Sequence, residues 1–143
     1  MSNFVERVKE CIKDAQINRL ELSQKIGVAY SVVHRYVSGQ SEPSFENFVK
    51  LLYLFDCSAD YLLGMEEIHT SEKLYPVEDF KKRLRTVMKE RNISQEKLKN
   101  DLAVSSSVIY KWVSGKAKPS TQTLIMLAKY FDCSVDYLIG RRK

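Results

Sequence analysis

The decapeptide FDCSADYLLG at residues 55–64 recurs as FDCSVDYLIG at residues 131–140, and this repetition decides how the chain is organised. The same offset relates the residues around it: between Phe4–Gly64 and Phe80–Gly140, 22 of 61 aligned positions are identical without a gap. An ungapped match over that length is typical of a domain that has been duplicated within one chain. The sequence therefore predicts two tandem copies of one small domain.

The duplication sets the expected domain boundaries. We expect copy one at residues 1–64, copy two at residues 79–143 and a short acidic linker at residues 65–78. The net charge of +5 is shared unequally among them: copy one carries 7 basic and 8 acidic side chains, the linker has a net charge of −3, and copy two carries 15 basic and 6 acidic side chains. Because a basic domain attracts polyanions, copy two is expected to make the main contact with any such partner.

Each copy is expected to form five short helices. In the first helix, apolar residues recur at i, i+4, i+7 and i+8 from Phe4 and again from Phe80. A second helix follows the N-cap residues Asn18 and Ser94, and Gly27 ends it in copy one. Strand signals are almost absent, so the predicted fold class is all-α, with two tandem five-helix domains. The remaining helix signals are a third helix at about Tyr30–Val37 and Ser106–Val113, a fourth after each Pro-Ser pair, and a fifth capped by Ser58 or Ser134.

Several classes of protein are excluded by what the sequence does not contain. No apolar run approaches the length of about 18 residues that a membrane helix needs, and the N-terminus lacks the apolar stretch of a signal peptide, so we expect a cytoplasmic protein. The three cysteines and two histidines have no metal-ligand spacing, and we expect Cys11, Cys57 and Cys133 to be small buried hydrophobes. There is no glycine-rich phosphate loop and no nucleophile with a suitably placed histidine and acid. We therefore expect no enzyme activity, no cofactor, no metal and no small-molecule ligand.

Three segments of copy two carry a resemblance to a known family. They are ISQEKL at residues 93–98, VSSSVIYKW at residues 104–112 and SGKAKPS at residues 114–120. Together they resemble the phage-repressor/Cro family of helix-turn-helix proteins, also called XRE-type, and the resemblance extends through all five helices and over both copies. It implies repressor-like DNA-binding domains whose third helix lies in the major groove of double-stranded DNA.

The resemblance also implies which residues of copy two contact DNA. Ser106, Ser107 and Lys111 would face base edges, where a lysine can donate to guanine and serines discriminate weakly. Gln95, which opens the second helix, and Ser105, the N-cap of the third, would meet phosphates. The remaining candidates are Tyr110, for which partial burial is an equal alternative, and the loop residues Lys116 and Lys118, which would approach the DNA backbone.

Copy two departs from the family pattern at two positions. Lys99 stands where a small residue is usual, and Ala103 stands where a glycine is usual, so the turn between the second and third helices is expected to be slightly reshaped. Lys99 is expected to turn its ammonium outward along its alkyl stem. Ile109 and Trp112 are expected to lie in the core.

Copy one matches the same positions less well. Gln40 and Glu42 replace Lys116 and Lys118, which puts an acid where a phosphate would approach. The aligned candidates for DNA contact in copy one are Arg19, Tyr30, Ser31, His34 and Arg35.

Two functional hypotheses follow. In the first, the chain is a sequence-specific transcriptional regulator, a repressor, which reads the major groove with the third helix of each copy and depends mainly on copy two. The 14-residue linker, spanning at most about 46 Å, could connect half-sites about 34 Å apart. In the second, only copy two binds DNA, while copy one is a module for homodimerisation or for a protein partner.

Overall fold

The computed structural model describes residues 2–67 and 73–143, which form ten helices and no strand. The chain divides into two compact units, Met1–Glu72 and Lys73–Lys143. The prediction of an all-α fold with two tandem five-helix domains is confirmed.

The five helices of copy one recur in the same order in copy two. In copy one they are α1 (Ser2–Asp14), α2 (Arg19–Ile26), α3 (Tyr30–Ser38), α4 (Phe45–Phe55) and α5 (Ala59–Leu62). In copy two they are α6 (Phe80–Glu90), α7 (Gln95–Leu102), α8 (Ser106–Ser114), α9 (Thr121–Phe131) and α10 (Val135–Leu138).

The core of each copy is formed by the apolar faces that the helical spacing predicted. On α6, the residues of the apolar stripe are all buried, and on α1 only Ile12 is partly exposed. Ile109 and Trp112 are 1% and 6% exposed, which confirms them as core residues of copy two. Burial of one such side chain contributes about 1.5–3 kcal/mol, so the two cores explain why these short helices are stable. The prediction for the cysteines is wrong at Cys133, which is partly exposed although its counterpart Cys57 is buried in the equivalent connection.

Side-chain caps determine where most of the helices begin. The Asn18 side chain accepts a hydrogen bond from the Glu21 backbone N–H at 2.8 Å, and the Glu21 carboxylate accepts one from the Asn18 N–H, which completes the expected capping box. Ser105 caps α8 by accepting from the Val108 N–H at 3.2 Å. Its counterpart in copy one, Ala29, makes no side-chain cap. The two third helices therefore start at equivalent positions with different stabilisation.

The turn between the second and third helices is left-handed in both copies. Gly27 has φ +71° and Ala103 has φ +55°. In copy two the Val104 N–H still donates to the Lys99 carbonyl at 3.3 Å, so the turn is retained. The left-handed conformation destabilises an alanine by about 1 kcal/mol.

Backbone hydrogen bonds attach both ends of the expected linker to the neighbouring copies. The N–H groups of Met65 and Glu66 both donate to the Asp60 carbonyl, at 2.8 and 3.2 Å. The Tyr75 N–H donates to the Arg141 carbonyl at 2.7 Å, and the Glu78 N–H donates to the Ile139 carbonyl. Only residues 67–74 lie between these attached positions. The boundaries expected at residues 64 and 79 stay predictions.

Candidate nucleic-acid interface

The exposed face of α8 carries most of the residues proposed to meet DNA bases in copy two. Ile109 and Trp112 face inward, so the side chains on the opposite side of the helix face outward. Ser106, Ser107 and Lys111 are exposed, and Tyr110 is 52% exposed. The structure thus brings these four side chains onto one polar surface of a single helix.

Residues from the first turns of α7 and α8 line one depression beside this surface. Gln95 is the first residue of α7, and it lines a shallow depression together with Ser106 at the start of α8. The hydroxyl of Ser105 accepts from the Val108 N–H and keeps its own proton for donation to another group. The first N–H groups of a helix have no partner within the helix, so each of these N-termini can bind an anion such as a phosphate, although the Glu96 carboxylate also lines the depression.

The loop after α8 adds positive charge close to Tyr110. The Lys116 ammonium lies 5.1 Å from the centre of the Tyr110 ring, a cation–π distance that holds the two side chains together. Lys118, two residues further along, is also exposed. The lysines proposed to approach the DNA backbone therefore lie in one loop that is anchored to α8.

Four arginines of copy two bond to groups within the compact unit Lys73–Lys143, which holds their side chains against that unit. Arg141 is the extreme case, being 3% exposed. At the candidate interface, the exposed positive charge comes from lysines. The arginines and their partners are Arg83 with the Tyr137 carbonyl, Arg91 with the Phe131 carbonyl, Arg141 with the Tyr75 carbonyl and Arg142 with the Asp136 carboxylate.

A hydrogen bond that the sequence analysis did not predict orients α7. The Tyr130 hydroxyl on α9 donates to the Asp101 carboxylate at 2.6 Å, and the Lys97 ammonium lies 3.1 Å from the same carboxylate. Burial and the hydrogen bond to Asp101 raise the pKa of Tyr130 to about 12, while the hydrogen bonds from Tyr130 and Lys97 lower the pKa of Asp101. The i, i+4 spacing of Lys97 and Asp101 could have been recognised from the sequence, whereas the contact with Tyr130 depends on the packing of α9.

The outward direction expected for the Lys99 ammonium stays a prediction. The Lys99 side chain is partly buried and lines the depression that Gln95 and Ser106 share. The alkyl stem therefore covers part of the contact between α7 and α8.

The candidates of copy one occupy the equivalent face of α3. Tyr30, Ser31, His34 and Arg35 are all exposed, and Arg19, the first residue of α2, is partly exposed. The two copies therefore present their third helices in the same way, and the difference between them lies in the chemistry of the side chains.

The side chains around the third helix of copy one are less suited to binding a polyanion than those of copy two. Leu20 is 52% exposed and Tyr30 is 49% exposed, at the positions where copy two has Glu96 and Ser106. Glu42, which replaces a lysine, is partly buried, and its Oε1 is buried without a hydrogen-bond partner. An apolar patch and an acid thus occupy the place of polar and basic residues.

Two other kinds of site were sought within residues 2–67 and 73–143. No group of three or more His, Cys, Asp or Glu side chains could hold a metal ion there. None of the helices in this part of the chain has both the length and the apolar character needed to cross a membrane. His69 lies outside the described residues.

Comparison with known proteins gives the same result for both copies. The model of a family described as "Helix-turn-helix" matches residues 8–62 and again residues 84–138. The chain is similar to the HTH-type transcriptional activator BcrR of Enterococcus faecalis, with 34% identity over 62 residues, covering 43% of this chain and 30% of that protein.

Two further relatives come from Bacillus subtilis. The uncharacterised HTH-type transcriptional regulator YqaE is 28% identical over 72 residues, covering 50% of this chain and 60% of that protein. The uncharacterised HTH-type transcriptional regulator YobD is 30% identical over 64 residues, covering 45% of this chain and 57% of that protein. The match thus spans less than two thirds of the length of each of these relatives, and no solved structure matches the chain.

Proposed function

The chain belongs to the helix-turn-helix family, and from this membership we propose that it is a sequence-specific DNA-binding transcriptional repressor. In this proposal α8 reads the major groove, α3 contributes less, and the protein acts in the cytoplasm without a cofactor or small-molecule effector. The relatives, which are named as transcriptional regulators, support the class of function.

The observation that carries the proposal is the polar face of α8. Ser106, Ser107 and Lys111 offer hydrogen-bonding groups from an exposed helix surface, and a major groove is wide enough to admit an α-helix. Gln95 and Ser105 lie at helix N-termini, where a phosphate on each side of the groove would fix the orientation of the helix.

The dominance of copy two follows from the same comparison of side chains. Lys116 and Lys118 would lie against the DNA backbone, whereas Glu42 at the position of Lys118 would repel it. Arg19 and Arg35 remain suitable for phosphate or guanine, so copy one contributes some affinity.

The span between the two copies favours closely spaced half-sites. With Glu66 and Tyr75 attached to their own copies, the intervening chain spans at most about 32 Å, less than the span of about 46 Å that the whole linker would allow. Half-sites one helical turn apart have centres about 34 Å apart, and the size of the copies themselves makes up the small difference.

We favour repression over activation because repression needs fewer contacts with other proteins. A protein that occupies a promoter blocks polymerase by its volume, while activation needs a further contact with polymerase. The relative named as a transcriptional activator gives the opposite precedent. A reporter gene placed behind the selected site distinguishes the two, because repression lowers the signal when the chain is expressed and activation raises it.

The apolar patch on copy one favours a second candidate function. Leu20 and Tyr30 are both exposed, and their counterparts Glu96 and Ser106 line one depression between α7 and α8. Exposed leucine and tyrosine are typical of protein-binding surfaces, so in this alternative copy one holds a second chain or a partner protein while copy two binds DNA.

The experiment that tests both candidates starts with the full chain and a randomised DNA library. Selected sites are then titrated at several salt concentrations. We expect salt-dependent binding to a selected sequence, because phosphate contacts release counterions. If the selection enriches no sequence, the proposal that the chain recognises specific bases is refuted.

A double substitution then separates the two roles of copy one. Leu20→Ser with Tyr30→Ser removes the apolar patch, and Tyr30→Ser gives copy one the residue of copy two. If the chain loses a dimer in analytical ultracentrifugation but keeps its DNA affinity, the interaction role is supported. If the chain stays monomeric throughout and loses DNA affinity, copy one is a reader.

A further inference from the structure

One surface groove of copy one is lined by residues from the end of α1, the end of α4 and the short helix α5. Asp14 is the last residue of α1 and Phe55 is the last residue of α4, and both belong to its lining. Its volume is about 400 Å³, in the range of sites that hold a small ligand. We call it the Ala15 groove, and the residues that line it are Cys11, Asp14, Ala15, Leu54, Phe55 and Tyr61.

In copy two, an arginine occupies the position of Ala15. Ala15 and its counterpart Arg91 both donate a backbone hydrogen bond to the carbonyl four residues earlier, at 2.9 and 3.0 Å, so the chain leaves the first helix in the same way in each copy. The Arg91 Nε donates to the carbonyl of Phe131, the counterpart of Phe55, at 2.9 Å. Copy two therefore shows which side chain this framework accepts against the last residue of its fourth helix.

Without that arginine, the end of the fourth helix is less covered in copy one. Phe131 is 1% exposed, whereas Phe55 is partly exposed. The methyl group of Ala15 has no donor for the Phe55 carbonyl and no alkyl stem to lie over its ring. The Ala15 groove therefore corresponds to the place that Arg91 covers in its own copy.

The groove also carries a carboxylate that is available to a cation. Asp14 is exposed and forms no ion pair with any other residue of the ranges 2–67 and 73–143. Its counterpart Glu90 accepts a hydrogen bond from the Tyr137 hydroxyl at 2.7 Å, whereas the Tyr61 hydroxyl of copy one donates to Glu10 instead, at 3.4 Å. The last carbonyls of α1 and α4 add to the negative potential, since the C-terminus of a helix favours cations.

We propose that the Ala15 groove binds an arginine side chain of a partner protein. The guanidinium donates to the Phe55 carbonyl, in the way that Arg91 bonds its own copy, and pairs with the Asp14 carboxylate. The methylene groups of the arginine pack against Leu54 and the Phe55 ring. A guanidinium suits this site because its several N–H donors lie in one plane, so that one group bonds both the carbonyl and the carboxylate.

A resident arginine of copy one does not oppose this binding. The Arg7 guanidinium lies 4.7 Å from the centre of the Tyr61 ring, and its Nε donates to the Tyr61 carbonyl. The counterpart Arg83 lies 5.0 Å from the Tyr137 ring, and copy two nevertheless accommodates Arg91. An arginine over this tyrosine is therefore compatible with a second arginine at the end of the fourth helix.

This inference does not rest on DNA binding. The groove shares no residue with the third helix of either copy, nor with the apolar patch of Leu20 and Tyr30. Its failure would leave both candidate functions standing.

The test uses the full chain, followed by amide NMR, and a glycine pentapeptide with blocked ends and one central arginine. We expect the peptide to shift the resonances of residues 11–15 and 54–61 with a dissociation constant of about 1 mM or weaker, because a single side chain supplies few contacts. The matched peptide carries citrulline, which has the shape of arginine without its charge, and should bind about two- to fivefold more weakly.

Three variants connect the binding to the groove. Asp14→Asn should weaken the arginine peptide about two- to fivefold and leave the citrulline peptide unchanged. Glu6→Gln, which removes the same charge from an exposed position of α1 outside the groove, is the matched control and should change neither. Ala15→Arg introduces the residue of copy two and should abolish binding because it fills the groove, and thermal unfolding checks that the variants are folded.

Four results would overturn the proposal. They are the absence of shifts in the groove at about 10 mM arginine peptide, equal binding of the citrulline peptide, unchanged binding by Ala15→Arg, and unchanged binding by Asp14→Asn. If the same resonances shift when the chain alone is concentrated, the occupant is a second copy, and the assignment to a separate partner is wrong.

Discussion

Replacement of Lys111 by alanine is the sharpest test of the assignment of α8 as the reading helix. Lys111 is exposed on α8, and its ammonium forms no ion pair with any residue in the ranges 2–67 and 73–143. The substitution therefore removes a group that faces solvent and leaves the fold of copy two unchanged. Any loss of DNA affinity reports on the contact itself.

The size of the effect follows from the chemistry of the side chain. A good base contact is worth about 1–3 kcal/mol, and a lysine donates from a single ammonium where an arginine presents a planar fork. We therefore expect the lower half of that range, about 1–2 kcal/mol, which is roughly a 5- to 30-fold loss of affinity for the selected site.

The assay is a titration of fluorescent DNA by the full chain, measured as anisotropy with both the selected site and a scrambled duplex. Lys111→Ala should weaken binding to the selected site more than binding to the scrambled duplex. Lys116→Ala should weaken both alike and reduce the salt slope by about 0.9, because it would remove the proposed phosphate contact. Lys89→Ala, an exposed lysine in the last turn of α6, removes the same charge elsewhere and serves as the matched control.

Two results would refute the reasoning. If Lys111→Ala and Lys89→Ala lower the affinity equally, Lys111 contributes only diffuse charge. If Arg35→Ala costs more specific affinity than Lys111→Ala, copy one and not copy two is the dominant reader.

Three further predictions concern stability and ionisation. Ser105→Ala should lower the stability of copy two by about 1 kcal/mol in urea unfolding, because the Val108 N–H loses its cap. Gly27→Ala should lower the stability of copy one by about 1 kcal/mol in the same assay. Its φ is +71° and an added Cβ meets no atom within 4 Å, so the loss comes from the left-handed backbone alone. For the same reason, Ala103→Gly should stabilise copy two. Asp101→Asn should lower the pKa of Tyr130 from about 12 towards 10 in an NMR titration. The stability that the raised pKa supplies is complete below pH 10 and is lost as the pH rises towards 12, so this alkaline dependence should weaken in the variant.

Features that depend on neighbouring residues were predictable from the sequence. The capping box at Asn18, the caps at Ser94 and Ser105, and the left-handed turn at Gly27 are all decided within four residues, so the sequence signal and the structure agree. The outward face of α8 was predictable for the same reason, since Ile109 and Trp112 fix which side of the helix is buried.

Features that depend on packing between distant segments were not predictable. The sequence assigned Arg141 to the positive charge of copy two, but the side chain is buried and bonded to the carbonyl of Tyr75 in the expected linker. The hydrogen bond between Tyr130 and Asp101, and the exposure of Leu20, likewise depend on how α4 and α9 lie against the second helices. No local pattern encodes such contacts.

The attachment of both linker ends has a consequence for proteolysis. Between residues 65 and 78 the chain has one lysine and no arginine, and that lysine, Lys73, lies between the hydrogen-bonded positions Glu66 and Tyr75. A trypsin cut after Lys73 would leave the hydrogen bonds of Glu66 to copy one and those of Tyr75 to copy two in place. Lys73 is therefore the position at which a protease can release each helix-turn-helix domain with its flanking backbone contacts intact.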